Sequence, residues 1–543
     1  MKRLLLIISA LIAIASTSTA QKPVNFKALQ KKYPWSIPIE SFLDDTVVIK
    51  GKIENYDPQQ SGFATLLGST FNLFEDVTAA SMPINADGTF EKKIKTSYPI
   101  CSEFCEYNQN GQFHLPFFAY PGDTVIINAK VNNGRLECTY PQGRCKNLQN
   151  VVPYLVLLDR ETLYALEDCK GNFTDFINEC EKLWNTLINK VLNDAKTLNF
   201  SKEETGMALE LSRCYYAKAI LTGLMFQQDH CYTERIEGKY RYLTLSDTAR
   251  INQMKNVHNY KFFKHIDFND PVFFCSDMFI LLNYMDHSLP PFSSNKIIGR
   301  VYPPRDMESS KKFFYRADSL LRKALQTNNN TPVMQMVMYN SLKTFIDRTW
   351  SDIEIGLPTD SIKEIHDHIM PLFAFAPVRK KVEELFVDRL SNSQITVPLR
   401  HCAVTEFIDS LRTAYPGKYL YLDFWAMGCG PCRSTIQASK DLREKIGNNP
   451  DIKLVFVNGD NPNYTKMHEY VATHLANEVN IYPGEDNFTL LRDVFGFAGI
   501  PHFEVISPDG QVVKERFIKF DLRDHADNYE QFKKQLDILK NKL

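Results

Sequence analysis

The stretch Tyr419-Leu420-Tyr421-Leu422-Asp423-Phe424-Trp425-Ala426-Met427-Gly428-Cys429-Gly430-Pro431-Cys432 decides the fold. Tyr419–Phe424 is a near-continuous apolar run, as a strand buried on both faces should be. A short loop follows, and Cys432–Ile446 reads as helix. The spacing therefore sets Cys429 at a helix N-terminus and Cys432 in the first turn, where two cysteines three apart can close a tight disulfide. Unpaired backbone N–H groups and the positive end of the helix dipole favour a thiolate at Cys429. A thiolate is the attacking species in disulfide exchange. Cys432, one turn inside, is expected to be more buried and to act second. Pro431 at an early helical position loses no needed hydrogen bond and stiffens the loop. A structural disulfide and half of a zinc site are the other readings. A zinc site wants a second Cys/His pair at suitable spacing, and none is visible here.

Outward from this motif, the C-terminal part alternates strand and helix. Ile452–Val457 reads as a second buried strand and Asn463–Leu475 as a helix. Phe503–Ile506 and Gln511–Phe517 flank Ser507-Pro508-Asp509-Gly510, a hairpin turn. A closing helix is expected over Asn528–Leu539. The order implies a mixed sheet with helices on both faces.

The segment Asp423–Cys432 resembles the active-site segment of thioredoxin. Gly499-Ile500-Pro501 before a strand resembles that family's cis-proline loop, and Ser507–Gly510 its hairpin. The longer separation between motif and proline, with an extra helix and strand, resembles the exported TlpA/ResA branch. The resemblance covers residues 400–543. A β-plus-helical front half attached to such a domain is similar to multidomain exported thioredoxin-like proteins of the Bacteroides group.

This resemblance implies roles. Cys429 would be the nucleophile and Cys432 the resolving thiol of a redox-active disulfide. Pro501 would be cis and face that disulfide, with Ile500 presenting its backbone to substrate. Asp423 would be the buried acid that relays a proton to Cys432; the other reading is a polar residue at a strand end. Trp425 would pack beside the disulfide, or simply in the core, and Gly430, Pro431 and His502 would border the substrate. Gly428 stands where thioredoxin has a Trp, and Phe456 where it has the Lys that partners the buried acid. His502 stands where the exported branch shows Thr, and would titrate near the disulfide. Asp460 lies about where that branch carries an acidic residue; a helix N-cap is the job expected of it.

The rest of the chain sets the context. It has 543 residues, enough for about three or four domains. Lys+Arg number 63 and Asp+Glu 64, a net charge of −1, which argues against a basic nucleic-acid surface and against a polyacidic tail. Hydrophobic residues at 44% and charged residues at 23% are those of a globular protein, so disorder and low complexity are excluded. Residues 1–20 read as a secretory signal: Lys2 and Arg3, an apolar run Leu4–Ala15, then Ser18-Thr19-Ala20 before the cleavage point. A membrane anchor is the alternative, but the run is short for one. Residue 21 is Gln, so no lipid-accepting cysteine follows. No later segment reads as a span, since even Pro271–Met285 carries Ser276, Asp277 and Asn283. A periplasmic, soluble mature chain is expected.

Residues 21–148 read as a β-rich domain, an antiparallel sandwich or barrel, with strands at Thr46–Ile53, Thr89–Ile94, Gln112–Tyr120 and Thr124–Val131. Residues 149–398 read as all-α, with helices over Val152–Glu167, Phe173–Leu198, Lys202–Met225 and at 309–326, 332–348, 359–369 and 377–391. Residues 399–543 are the thioredoxin-like domain. Of twelve cysteines, Cys101/Cys105 and Cys138/Cys145 could staple the β-rich region outside the cytosol. Cys169, Cys180, Cys214, Cys231, Cys275 and Cys402 are scattered; buried thiols are the plainer reading. His366-Asp367-His368 is not read as a ligand set, because H-x-H on a helix does not share a face; His258 and His265, seven apart, could share one, but surface or core histidines are the plainer reading. No metal or cofactor is expected.

Three functions remain open on the sequence. The first is a reductant of disulfide-containing client proteins, since Gly-Pro between the cysteines, as in thioredoxin, goes with low reduction potentials. It needs a membrane thiol-transfer electron donor. The second is an oxidase or isomerase of the same chemistry. The third is a binding module in which the thioredoxin-like domain is a docking platform.

Overall fold

The computed structural model describes residues 24–542, except 72–76, 144, 157–165, 167–168, 170–171, 232, 237–238, 243–246, 268, 275–306, 325–330, 340–341, 343–358, 391–394, 498, 515–521 and 523–527. The leader read at residues 1–20 lies outside the described residues, as do Cys275, most of the helix expected at Val152–Glu167, the second half of that at 332–348 and the end of the strand Gln511–Phe517. The chain is multidomain, with a β-rich N-terminal region, a helical middle and a C-terminal α/β domain. By compactness it divides into two units. One takes the chain up to Ser36 and residues 150–267, the other residues 37–149 and 268–543.

The β-rich region holds β1 (Asp45–Glu54), β2 (Thr65–Phe71), β3 (Val77–Pro83), β4 (Thr89–Thr96), β5 (Ile100–Asn108), β6 (Gly111–Ala119), β7 (Thr124–Asn132) and β8 (Arg135–Thr139). They form two four-stranded sheets, ordered β4-β1-β7-β8 and β3-β2-β5-β6. Val47, Ile49 and Ile53 of β1 and Ile127 and Ala129 of β7 are buried at period two, the alternation of a sheet with one inward face. Gly88 closes the Asn85–Gly88 turn at φ 82°, where a Cβ would be disfavoured. The expectation of a purely antiparallel domain is corrected: β1 and β7 pair in parallel, Val48 beside Thr124. The whole second sheet lies between them in sequence, so no tight turn fixes their relative direction.

The cysteine staples expected here are absent. Cys101, Cys105, Cys138 and Cys145 carry no disulfide. Cys101 and Cys105 lie on one strand, about 13 Å apart at 3.3 Å per residue, beyond what a disulfide spans. Burial pushes the Cys105 and Cys138 thiols up to about 12.

In the unit containing residues 150–267, the helix Phe173–Thr197 opens on a capping box of Asn172 and Asp175. It buries Phe173, Phe176, Cys180, Leu183, Trp184, Ile188 and Val191, a helical stripe. The next helix, Lys202–Asp229, starts where Glu204 N donates to Ser201 Oγ at 3.1 Å and Ser201 N to Glu204 Oε2 at 2.8 Å. The all-α reading of residues 149–398 needs two corrections. Thr396–Pro398, at its end, is a strand of the C-terminal sheet. Thr233–Ile236 (β9) and Lys239–Tyr242 (β10) pair as antiparallel strands. Their Thr, Ile and Tyr residues prefer extended backbone.

The C-terminal domain contains β11 (Thr396–Pro398), α1 (Glu406–Ala414), β12 (Tyr419–Trp425), α2 (Gly430–Ala438), α3 (Lys440–Gly447), β13 (Ile452–Asn458), α4 (Thr465–His474), β14 (Val479–Ile481), α5 (Glu485–Phe495), β15 (His502–Ile506), β16 (Gln511–Val513) and α6 (Tyr529–Lys542). The single helix expected from Cys432 to Ile446 is two, separated at Ser439. The sheet runs β11-β16-β15-β12-β13-β14. β12 pairs in parallel with β13 and antiparallel with β15, and every residue of β12 is buried. One face packs Tyr421, Trp425, Cys432, Ile436, Leu442 and Phe456; the other packs Leu420, Leu422, Phe424, Phe488 and Phe497. Each large apolar side chain so buried contributes about 1.5–3 kcal/mol.

The helix α5 ties this domain to the β-rich region of the same unit. Asp493 accepts from Lys92 Nζ and Arg400 Nη2, each at 3.2 Å, and from Ser81 Oγ at 3.3 Å.

Candidate active site

Cys429 is the N-cap of α2, and its Sγ accepts from Cys432 N at 3.1 Å. The two cysteines are joined, Cα to Cα 5.3 Å. Cys429 is half-buried, whereas Cys432 is 1% exposed. The asymmetry follows from position: the cap residue stands outside the first turn, while Cys432 faces the sheet with Thr435 and Ile436. The N–H groups of that first turn surround Cys429 Sγ with partial positive charge, an effect of about 0.3–1 kcal/mol on an anion. Gly430 and Pro431 are exposed beside it. A side chain at Gly428 or Gly430 would meet nothing within 4 Å.

The turn Gly499–Pro501 faces this pair. The Ile500–Pro501 bond is cis, and Ile500 O lies 3.6 Å from Cys429 Sγ. Ile500 also packs against the cluster that contains Cys432. Asp423 is 2% exposed. It sits in register between Phe456 on β13 and Phe503 on β15. Alternation turns it to the face of Tyr421 and Trp425, the face on which Cys432 packs. Trp425 is fully buried and lies 5.6 Å from the Tyr470 ring. The structure therefore gathers Cys429, Ile500 and Pro501 towards the surface, with Cys432 buried one turn inside and Asp423 and Trp425 on the sheet face beneath.

It does not bring the His502 ring to the disulfide. The residue is in register with Phe424, and its side chain turns to the opposite face. There it stacks on Phe497, centroids 4.0 Å apart at 14°, and its Nε2 lies 2.6 Å from Glu504 Oε1. The sequence places His502 beside Pro501, but a period of two carries its ring through the sheet.

Two residues enter in ways that spacing did not reveal. Asp460 does not cap a helix; the N-cap of α4 is Tyr464, with no side-chain bond. Instead, Asp460 Oδ2 accepts from Met427 N at 2.7 Å and from Asn458 Nδ2 at 3.0 Å. Arg443 reaches under the same face from α3. Its guanidinium lies 5.7 Å over the Phe456 ring and donates to Glu478 Oε1 at 2.9 Å, His474 O at 3.0 Å and Ile436 O at 3.1 Å. A cation thus arrives over position 456 from another element. The Asn-Gly-Asp sequence was the available sign of the first; a lone arginine on a helix gave none of the second.

The histidines read as ordinary residues are engaged singly. His265 Nε2 lies 3.0 Å from Glu181 Oε2, and its ring stacks on Trp184 at 4.5 Å; burial pushes this imidazole down from its usual range. His366 packs on Phe386 and His368 on Tyr315. Among the described residues, no group of three or more His, Cys, Asp or Glu side chains could hold a metal ion. No helix of those residues is long and apolar enough to cross a membrane.

A protein-family model described as thioredoxin-like matches residues 417–512. No curated protein matches the chain. Among solved structures, the chain is similar to the thioredoxin domain of a thiol-disulfide oxidoreductase from Bacteroides vulgatus, at 17% identity over 22% of this chain and 81% of that one, TM-score 0.19. It is also similar to a secreted disulfide oxidoreductase of Mycobacterium tuberculosis, at 20% identity over 19% and 70%, TM-score 0.16. A thioredoxin-like protein from Bacteroides caccae matches at 13% identity over 45% and 90%, TM-score 0.19. The C-terminal domain is thioredoxin-like.

Proposed function

We propose that this chain is an exported thiol-disulfide oxidoreductase that reduces disulfides of extracytoplasmic client proteins. In the reduced protein, the Cys429 thiolate attacks a client disulfide. One client sulfur leaves as thiolate and takes a proton. Cys432 then gives up its proton to Asp423, and its sulfur attacks Cys429 Sγ. The second client sulfur leaves as thiolate and takes up a proton, Asp423 releasing the one it accepted, and the Cys429–Cys432 disulfide remains. Two electrons have passed to the client. Restoring the dithiol requires a thiol donor, for which a membrane thiol-transfer protein is the natural class.

The observation that carries this reading is the asymmetry of the pair: one sulfur half-exposed at a helix start, its partner buried one turn inside. Ile500 and Pro501 would border the client segment, with Gly430 and Pro431 opposite and Trp425 supporting from below. The division into a leader (1–20), a β-rich domain (21–148), a helical domain (149–398) and the redox domain (399–543) belongs to the same proposal.

The test is Cys432→Ser in the full chain. The reading expects mixed disulfides joining Cys429 to clients, dissolved by dithiothreitol and absent from Cys429→Ser. Failure to form any cysteine-dependent adduct would leave the docking-platform reading in its place. Equilibration with glutathione decides direction: a potential near that of DsbA, about −120 mV, would reverse the assigned electron flow.

A further inference from the structure

The loop that delivers Cys429 to its helix is held from one side by a single carboxylate. Ala426–Cys429 is a tight turn, in which Cys429 N donates to Ala426 O at 3.0 Å. Inside that turn, Met427 N donates to Asp460 Oδ2 at 2.7 Å. Asp460 is itself fixed. Asn458 Nδ2 donates to the same oxygen at 3.0 Å, and Asp460 N donates back to Asn458 Oδ1 at 2.9 Å. Asn458 is 1% exposed, and Gly459 N donates to Trp425 O at 2.9 Å. Gly459 has no room for a side chain, since a Cβ would stand 2.8 Å from the Phe488 ring. The end of β13 and the end of β12 are thus laced by two hydrogen bonds, Met427 N to Asp460 and Gly459 N to Trp425, while two more brace Asp460 against Asn458.

We propose that Asp460 is a positioning residue for Cys429 that both fixes the Ala426–Cys429 turn and opposes ionisation of the Cys429 thiol. The inference rests on the redox reading of Cys429 and says how that sulfur is tuned. The positional half follows from the hydrogen bond. The electrostatic half follows from distance. Asp460 Oδ2 sits on the amide of a residue two places before Cys429, and consecutive Cα atoms are about 3.8 Å apart, so the carboxylate is a near neighbour of the cysteine's backbone, at a separation comparable to the Debye length of about 8 Å at physiological salt. A negative charge there works against the helix N-terminus, which favours the thiolate. Among the described residues, the other titratable or charged groups around the pair are Asp423 beneath it on β12, Arg433 on its own helix, and Tyr470, whose hydroxyl donates to Arg433 O at 3.2 Å. His502 and Glu504 face the other side of the sheet. A less stable thiolate makes the disulfide form relatively more favourable and the dithiol a stronger reductant.

The experiment measures the pH profile of Cys429 alkylation by iodoacetamide in reduced full-length protein carrying Cys432→Ser. Asp460→Asn keeps an acceptor for Met427 N and removes the charge. It is expected to shift the profile down by about one pH unit. Asp460→Ala removes both charge and acceptor, and should in addition slow the exchange of the unalkylated Cys429 thiol with a model disulfide, followed in a separate sample, by roughly tenfold, as a misplaced loop does. An unchanged profile in Asp460→Asn overturns the electrostatic half, and exchange in Asp460→Ala matching that of Asp460→Asn overturns the positional half. If Cys429 is inert in the parent protein while Asp460 is intact, the redox reading has failed, and this inference with it.

Discussion

Cys138 and Cys429 carry the same side chain in opposite settings. The first lies in β8, 8% exposed, with its Sγ 3.6 Å from His114 O and its thiol pushed up to about 12 by burial. The second caps a helix, half in solvent, with a backbone N–H on its sulfur. The difference teaches that the reactivity of a cysteine is a property of the backbone around it. The strand interior gives the Cys138 sulfur a carbonyl acceptor and little water, which favour the thiol, whereas a helix start offers unpaired donors that favour the thiolate.

The comparison breaks most visibly if Cys429→Ser retains disulfide reductase activity. A loss of about a thousandfold or more is expected, measured by insulin reduction, while Cys138→Ala should keep the parental rate. Alkylation sharpens it. In the reduced native protein at pH 7, Cys429 should be labelled at least about a hundredfold faster than Cys105 or Cys138, because thiols held near 12 are almost wholly protonated. Equal labelling, read by peptide mass spectrometry, would remove the contrast.

The third test concerns an ion pair buried elsewhere in the same domain. Arg443 and Glu478 are 5% and 10% exposed at the side chain. Glu478→Ala leaves the guanidinium buried without its charge partner and should cost roughly 3–5 kcal/mol in urea unfolding; a cost under about 1 kcal/mol would show the pair to be ornamental. The smallest effect belongs to the buried thiols. Their folded values lie above the ordinary 9.0, so above that pH the unfolded chain loses protons that the folded chain keeps. Stability should therefore fall as pH rises from about 9 towards about 12, and the Cys105→Ala/Cys138→Ala double variant should flatten that decline in thermal melts.

The sequence spoke most clearly where period and punctuation coincide. The run Tyr419–Phe424, the cysteines that follow it and the turn Ser507–Gly510 were legible because a doubly buried strand, a helix start and a hairpin each leave a local signature. The stripe of Phe173–Thr197 was legible for the same reason. What escaped depends on contacts distant in the chain. No local pattern announces that β1 runs parallel to β7, or that Arg443 crosses under Phe456. The strands at 233–236 and 239–242 are short and charged, and sank into the helical texture around them. His502 shows a third kind of difference: it adjoins Pro501 in sequence, but one step along a pleat carries its ring to the other face of the sheet. Asp460 was noticed for its position, but its partner, the Met427 amide, is a backbone group that sequence never displays.

Gly428 and Gly430 stand on either side of Cys429 with nothing near them, and neither has a left-handed backbone. The rim of the sulfur is therefore vacant ground. Any side chain placed there would change what approaches the sulfur without asking the scaffold to move. Single substitutions at these two positions can therefore reshape that rim while the core below stays as it is.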